Sequence, residues 1–320
     1  MTLGDFSAPQ HTTISAEDDG IRLDRWFKRH IPQLTFGQLS RMARKGEIRL
    51  DGKRAEPKTR LAAGQDLRLP PLDGRLAQTA APKLTPGDPE ADRAFLKECV
   101  IHEDDWVLAI NKPPGLPTQG GSGVKRHIDG MLRAYADPAP RLVHRLDKDT
   151  SGVLVLGKTA AAAAALADAF RQRETEKVYH ALCIGVPNPQ EGRVNAPLKK
   201  LPIRGNEKMT VDEDGKSAIT DYRLMDRAAS RCALMELQPL TGRTHQLRVH
   251  MASLGCPIVG DGKYGGQDAY LTGTISRKLH LHAARLRLAH PNGSMLSLSA
   301  EYPAHMAESC KALGLEANQD

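Results

Sequence analysis

His144-Arg-Leu-Asp-Lys-Asp-Thr-Ser-Gly-Val-Leu-Val-Leu156 sets a cluster of ionisable side chains directly against a short apolar run. The run is bounded by Gly152 and Gly157 and carries two β-branched valines, so it predicts a strongly apolar strand with a charged entry loop. Working outward, runs of the same texture occur at Val100-Ile, Trp106-Val-Leu-Ala-Ile, Val178-Tyr-His-Ala-Leu-Cys-Ile and Ala233-Leu-Met-Glu-Leu. Between them the Ala-rich stretch Ala160 to Arg173 predicts a helix with Thr159 as its cap. No internal repeat and no regular strand–helix alternation is visible. The expected class is therefore α+β, with a central, mainly antiparallel sheet over 96–305.

Three chemistries compete for the ionisable cluster. Asp147 and Asp149 could simply cap backbone N–H groups of a loop. Asp147, Asp149, Ser151 and Gly152 also fit positions one, three, five and six of a calcium loop, but the position needing a bidentate Glu is Lys158, and Val-Leu-Val-Leu belongs in a sheet. The third chemistry is catalytic: Asp147, flanked by His144, Arg145 and Lys148, is held ionised by nearby positive charge and acts as a nucleophile or base.

Upstream the charge is uneven. Between Ile21 and Pro70 thirteen Lys and Arg face five Asp and Glu, a surplus exceeding the net +7 of the whole chain. Apolar spacing predicts two short basic helices, at Ile21 to Phe27 and from Phe36 to the stop at Gly46. Short strands at Glu47-Ile-Arg-Leu and Asp66-Leu-Arg-Leu follow, with an Asp51-Gly52 turn. This pattern resembles the S4 RNA-binding domain. The resemblance implies a small α/β module at 20–70 that grips folded RNA through Arg22, Arg25, Arg41, Arg44, Lys45, Lys53 and Arg54, by phosphate contacts that position without choosing sequence. Residues 1–19 are expected to be a disordered lead, 71–95 a linker and 306–320 a tail.

Composition narrows the classes further. No apolar run reaches the ~18 residues of a membrane span, and Met1 to Gly20 lacks a basic region followed by an apolar core, so a cytoplasmic protein is expected. Five scattered cysteines without a CxxC pair read as reduced and mostly buried. Thirteen aromatic residues in 320 are too few for a surface built on base stacking. His280 and His282 alternate along a strand and His245 and His250 lie on a helix, without the context of a metal site. No metal and no organic cofactor are expected.

The loop motif His144-Arg-Leu-Asp-Lys-Asp-Thr-Ser-Gly resembles the central signature of the large-subunit-type pseudouridine synthases. Asn111-Lys-Pro-Pro-Gly-Leu, Lys177-Val-Tyr-His-Ala, Gly242-Arg-Thr-His-Gln-Leu-Arg-Val-His, Pro257-Ile-Val-Gly-Asp-Gly-Lys-Tyr-Gly and Leu279-His-Leu-His-Ala are similar to its other motifs, in the same order. Gln119-Gly-Gly-Ser-Gly and Arg44-Lys-Gly-Glu-Ile-Arg are most similar to the C-type subgroup acting on 23S ribosomal RNA. The resemblance implies a catalytic domain that converts uridine to pseudouridine, with 23S rRNA or a large ribosomal subunit precursor as partner; a monomer is the default expectation.

It also implies roles. Asp147 is the catalytic carboxylate, attacking C1′ or removing the C2′ proton. Arg243 pairs with Asp147, and Tyr179 packs on the target base. Arg145, with His144 and Lys112, belongs to substrate binding, Arg145 filling the space of an extruded nucleotide, and Lys112 serving first as structural support at the site edge and second as an RNA contact. By residues alone, Tyr179 shares its strand face with Ala181 and Cys183 and reads as a core tyrosine. Arg243 precedes Thr244, which is expected to cap a helix with Leu247, Met251 and Leu254 on one face and Gly255 at its end.

Overall fold

A computed structural model describes residues 9–31, 34, 36–72, 88–121, 124, 126–172, 174–203, 206–273 and 275–316. The chain divides into two compact units, Met1–Thr85 and Pro86–Asp320. No described helix is long and apolar enough to cross a membrane.

In the first unit, strands β1 (Gln10–Thr13), β2 (Arg49–Leu50), β3 (Lys53–Arg54) and β4 (Asp66–Leu69) pair antiparallel in the order β1-β4-β2-β3. Asp51 and Gly52 both take positive φ, 48° and 76°, which is the two-residue turn that the Asp-Gly pair selects. Helices α1 (Leu23–His30) and α2 (Phe36–Lys45) bury Leu23, Trp26, Phe27, Leu39 and Met42 in one core with Ile48, Leu61, Leu67 and Leu69. Each such side chain stabilises the unit by about 1.5–3 kcal/mol before entropy is counted. The expected disordered lead is corrected here: residues 10–13 form β1, and Ile14 lies in the core, because strand pairing with Asp66–Leu69 satisfies that backbone. Residues 1–8 lie outside the described residues.

The second unit is built on a long sheet of β5 (Val100–Glu103), β6 (Val107–Lys112), β7 (Arg141–Leu142), β8 (Ser151–Gly157), β9 (Glu176–Ile184), β10 (Glu191–Asn195), β13 (Ile219–Ala228), β14 (Cys232–Pro239), β15 (Leu281–Ala289) and β16 (Met295–Ser299). The order is β10-β13-β14-β9-β15-β8-β6-β5, with β16 on β15 and β7 on β8. All of these pairs are antiparallel except β15 with β8, so the mainly antiparallel expectation holds. Strands β11 (Leu198–Ile203) and β12 (Asn206–Val211) form a separate hairpin.

Strand β8 is buried along its whole length, and its alternation assigns a partner to each face. Leu154 and Leu156 pack with Leu96 of α3 (Pro89–Glu98) and with Ile128, Met131 and Leu132 of α4 (Ile128–Tyr135). Val153 and Val155 pack instead with Leu166 of α5 (Ala160–Gln172). The Thr159 hydroxyl accepts the Ala162 N–H at 3.0 Å, as expected of a cap.

Two boundaries are corrected. The expected linker 71–95 ends early: Asp88 accepts the Glu90 N–H and starts α3, whose Leu96 is fully buried, while 73–87 lie outside the described residues. The expected tail contains α7 (Ala304–Ala312), which buries Met306 and Cys310 against Leu182 and Leu234; 317–320 lie outside the described residues.

Candidate active site

The loop between β7 and β8 presents the motif that opened the sequence reading. Leu146 points inward and is buried, and Thr118 ties its backbone on both sides: the Thr118 hydroxyl donates to the Leu146 carbonyl at 2.8 Å and accepts its N–H at 3.3 Å. With Leu146 pinned inward, Arg145 is exposed and the Asp147 side chain stays 26% exposed.

Lys112 sits beneath the same loop. It is fully buried, and its ammonium donates to the carbonyls of Pro113, Leu116 and Lys148 at 2.8, 2.9 and 3.1 Å. Burial draws its pKa down to about 8, against an opposing pull from Asp149 and Asp147. With three carbonyls around it, the ammonium fastens the loop, in keeping with the structural-support reading of Lys112 and against its substrate-binding one. His144 is likewise held from within. Its Nε2 accepts the Val155 N–H at 2.9 Å, its ring stacks on Phe170 at 4.2 Å, and burial with help from Lys177 pushes its pKa down to about 3. A backbone amide only donates, so the neutral ring carries its proton on Nδ1.

The facing wall is the turn from Pro239 into helix α6 (Gln246–Ser253). Here the expected Thr244 cap is corrected. The cap position is His245, in left-handed conformation at φ 55°, ψ 20°, and its side chain makes no capping bond. Gln246 does the fastening: its Oε1 accepts the Arg243 N–H at 3.0 Å and the Thr241 hydroxyl at 2.7 Å, and its Nε2 donates to the Ile219 carbonyl and Thr220 hydroxyl. The helix is buried on every side from Gln246 to Met251, including Arg248, whose guanidinium makes a bidentate pair with fully buried Asp261 at 2.7 and 2.6 Å.

Between these walls lies a cavity of about 480 Å³, within the size range of small-ligand sites. Asp147, Arg145, His144, Tyr179, Arg243 and Arg248 all line it. Tyr179 enters from β9; burial, with Asp147 adding to it, raises its pKa and keeps it a neutral phenol. The expected Arg243–Asp147 pair is not formed: the Arg243 Nε donates to the Ser217 carbonyl at 2.9 Å, and the ring of His245 instead brings Nε2 to 3.8 Å from Asp147 Oδ2. Arg248 and His245 line the cavity, with Asp261 bonded to Arg248 and Tyr264 to His245 behind them, and sequence reasoning gave none of the four a place there. Only the Gly-Arg-Thr-His-Gln-Leu-Arg and Gly-Asp-Gly-Lys-Tyr motifs hinted at them.

In the first unit, Arg25, Arg41, Arg44, Lys45, Lys53 and Arg54 are all exposed, and Arg22 is exposed while paired with Asp24 at 2.6 Å. The subgroup motif after Pro117 is only partly placed, since Ser122 and Gly123 lie outside the described residues.

The family model described as RNA pseudouridylate synthase matches residues 106–253. Ribosomal large subunit pseudouridine synthase C of Vibrio cholerae serotype O1 is 34% identical over 305 residues, covering 93% of this chain and 95% of that protein. The protein of the same name from Escherichia coli K12 is 36% identical over 295 residues, covering 90% and 91%. The solved structure of human RNA pseudouridylate synthase domain containing 4 superposes with a TM-score of 0.61 at 31% identity, covering 72% of this chain and 98% of the human one.

Proposed function

The chain belongs to the RNA pseudouridylate synthase family, and from that premise we propose that it isomerises specific uridines of 23S ribosomal RNA, in the free RNA or in a large-subunit precursor, with Asp147 as the essential carboxylate. The reaction breaks the N1–C1′ bond, turns the uracil, joins C5 to C1′, and moves a proton from C5 to N1. No atom is gained and no electron is transferred. One carboxylate that acts on the ribose, at C1′ or on the C2′ proton, therefore suffices where a glycoside hydrolase typically needs two.

The observation that carries this reading is the placement of Asp147: an accessible carboxylate on the floor of a cavity walled by Arg145, Arg243, Arg248 and Tyr179. Uridine stacked in RNA hides the bonds that change, so the nucleotide must be extruded or already unpaired. Arg145, exposed at the cavity edge, has the planar cation to occupy the vacated stack or to hold a phosphate. Tyr179 offers a flat ring and a proton-bearing oxygen to the uracil that enters. Arg243, tied to Ser217 at the opposite edge, serves the RNA backbone or closes on Asp147 when substrate enters. The first unit, read as S4-like, supplies cations that raise affinity without choosing the target uridine.

The test is to incubate unmodified large-subunit rRNA with the protein and with Asp147→Asn, then map pseudouridines by reverse-transcription stops after carbodiimide labelling. Stops at discrete uridines with the unaltered protein and none with Asp147→Asn are expected. Equal patterns from both would remove Asp147 from the chemistry.

A further inference from the structure

One wall of the cavity holds a chain of polar contacts that takes no part in the steps above. His245 Nδ1 lies 2.7 Å from the Tyr264 hydroxyl oxygen, while Nε2 faces Asp147 Oδ2 at 3.8 Å. The two rings meet edge to face at 74°, with centroids 5.5 Å apart. The Tyr264 oxygen also accepts the Met209 backbone N–H at 3.4 Å, from strand β12. The Met209 amide can only donate, and among the described residues the Tyr264 hydroxyl has no acceptor for its own proton other than His245 Nδ1, which makes Tyr264 the donor of that bond. The remaining proton of a neutral imidazole then sits on Nε2, the nitrogen turned toward the carboxylate.

The ring is neutral because burial lowers its pKa, with Arg248 and Lys263 adding to the effect and Asp147 and Asp261 opposing it. The chain accepts a cost to place it there. His245 occupies the left-handed region at φ 55°, which disfavours an L-residue by roughly 1–2 kcal/mol, and such strain concentrates at functional positions.

We infer that His245 is the positioning residue of Asp147: Tyr264 fixes its tautomer, and the Nε2–H group, 3.8 Å from one carboxylate oxygen and thus short of a hydrogen bond, biases the carboxylate electrostatically so that the other oxygen is aimed at the ribose. The inference rests on Asp147 being the reactive carboxylate.

Three variants of the full chain test it: His245→Gln, His245→Leu and Tyr264→Phe, each checked for folding by thermal melting. Gln and Leu bear the same left-handed backbone cost, so their difference isolates the donor. The probe is 23S rRNA transcript tritiated at uridine C5, whose release of tritium reports loss of the C5 proton in a single turnover. His245→Leu is expected to slow release about tenfold to a hundredfold with unchanged RNA affinity. His245→Gln, with an amide N–H near the Nε2 position, should recover most of the rate, and Tyr264→Phe should fall between. In histidine labelled with ¹⁵N, the His245 signal should report the Nε2–H tautomer, becoming a mixture in Tyr264→Phe. A folded Leu variant as fast as the unaltered protein, a Gln variant as slow as Leu, or the Nδ1–H tautomer would each overturn the inference. Tritium release by Asp147→Asn at full rate, with His245 intact, would instead overturn the reading of Asp147 on which it stands.

Discussion

Gly152 shows how tightly single positions are specified near the loop that carries Asp147. It opens β8 at φ +111°, five residues after Asp147, and a Cβ there would collide with the Ala283 carbonyl and come within 2.7 Å of the Ala283 nitrogen. This is the point where β8 and β15 run parallel, His282 opposite Ser151 and Ala283 opposite Gly152. Gly152→Ala combines a forbidden φ with overpacking, so a loss of about 3 kcal/mol is expected. The check is the chemical denaturation midpoint of the second unit, together with turnover; an unmoved midpoint would mean that β15 yields freely. At this scale Asp147 was legible in the sequence, because a charged motif against an apolar strand needs nothing distant to be noticed. His245 was not. Its partners Asp147 and Tyr264 come from separate segments, as does Met209, which bonds Tyr264, and nothing local distinguishes that ring from the eleven other histidines.

Elements follow the same division between local and tertiary causes. The cap of α5 was readable because Thr159 acts on an amide three residues away. The start of α6 was misread as a Thr244 cap because its fastening comes from Gln246 reaching back to Ile219 and Thr220 on β13. The apolar face expected of that helix was equally local, whereas the fold encloses it on all sides and buries Arg248 with Asp261. The strands around it carry buried histidines with an energetic consequence. His180 on β9, His282 on β15 and His280 just before β15 are each pushed down to about 4 by burial, and the buried Nε2 of His180 has no hydrogen-bond partner. In the unfolded chain such rings titrate near 6.5. Above that pH both states are neutral and the contribution to stability is complete. As pH falls from 6.5 toward 4 the unfolded state binds protons that the folded state refuses, and stability is lost by up to about 1.4 kcal/mol per ring per pH unit. The melting temperature of the second unit should therefore drop clearly between pH 7 and pH 5. Asp104, held at about 2, contributes its own loss only below that window. A melting temperature that stays level to pH 5 would show that these rings are protonated in the folded state.

Across the whole molecule, charge and chemistry sit on different units. The basic surplus of Ile21 to Pro70 survives folding as exposed side chains, since the core of that unit takes only the apolar positions and leaves Arg41, Arg44 and Lys45 of α2 in solvent. Among the described residues, those that line the cavity with Asp147 belong to the second unit. Phosphate contacts release counterions, so each cation lost from such a surface flattens the dependence of affinity on salt, by about 0.7 to 0.9 in the logarithmic slope. Replacing Arg41, Arg44 and Lys45 together with Gln should weaken rRNA binding and reduce that slope by about two to three. The single-turnover rate at saturating RNA should stay at its original value, because saturation makes up for a weaker grip on the RNA. Binding measured across a salt series, beside tritium release at saturation, separates the two effects. A slope that does not change would place the RNA grip elsewhere on the chain, and a fall in the saturated rate would mean that the basic helix face also helps deliver the uridine into the cavity.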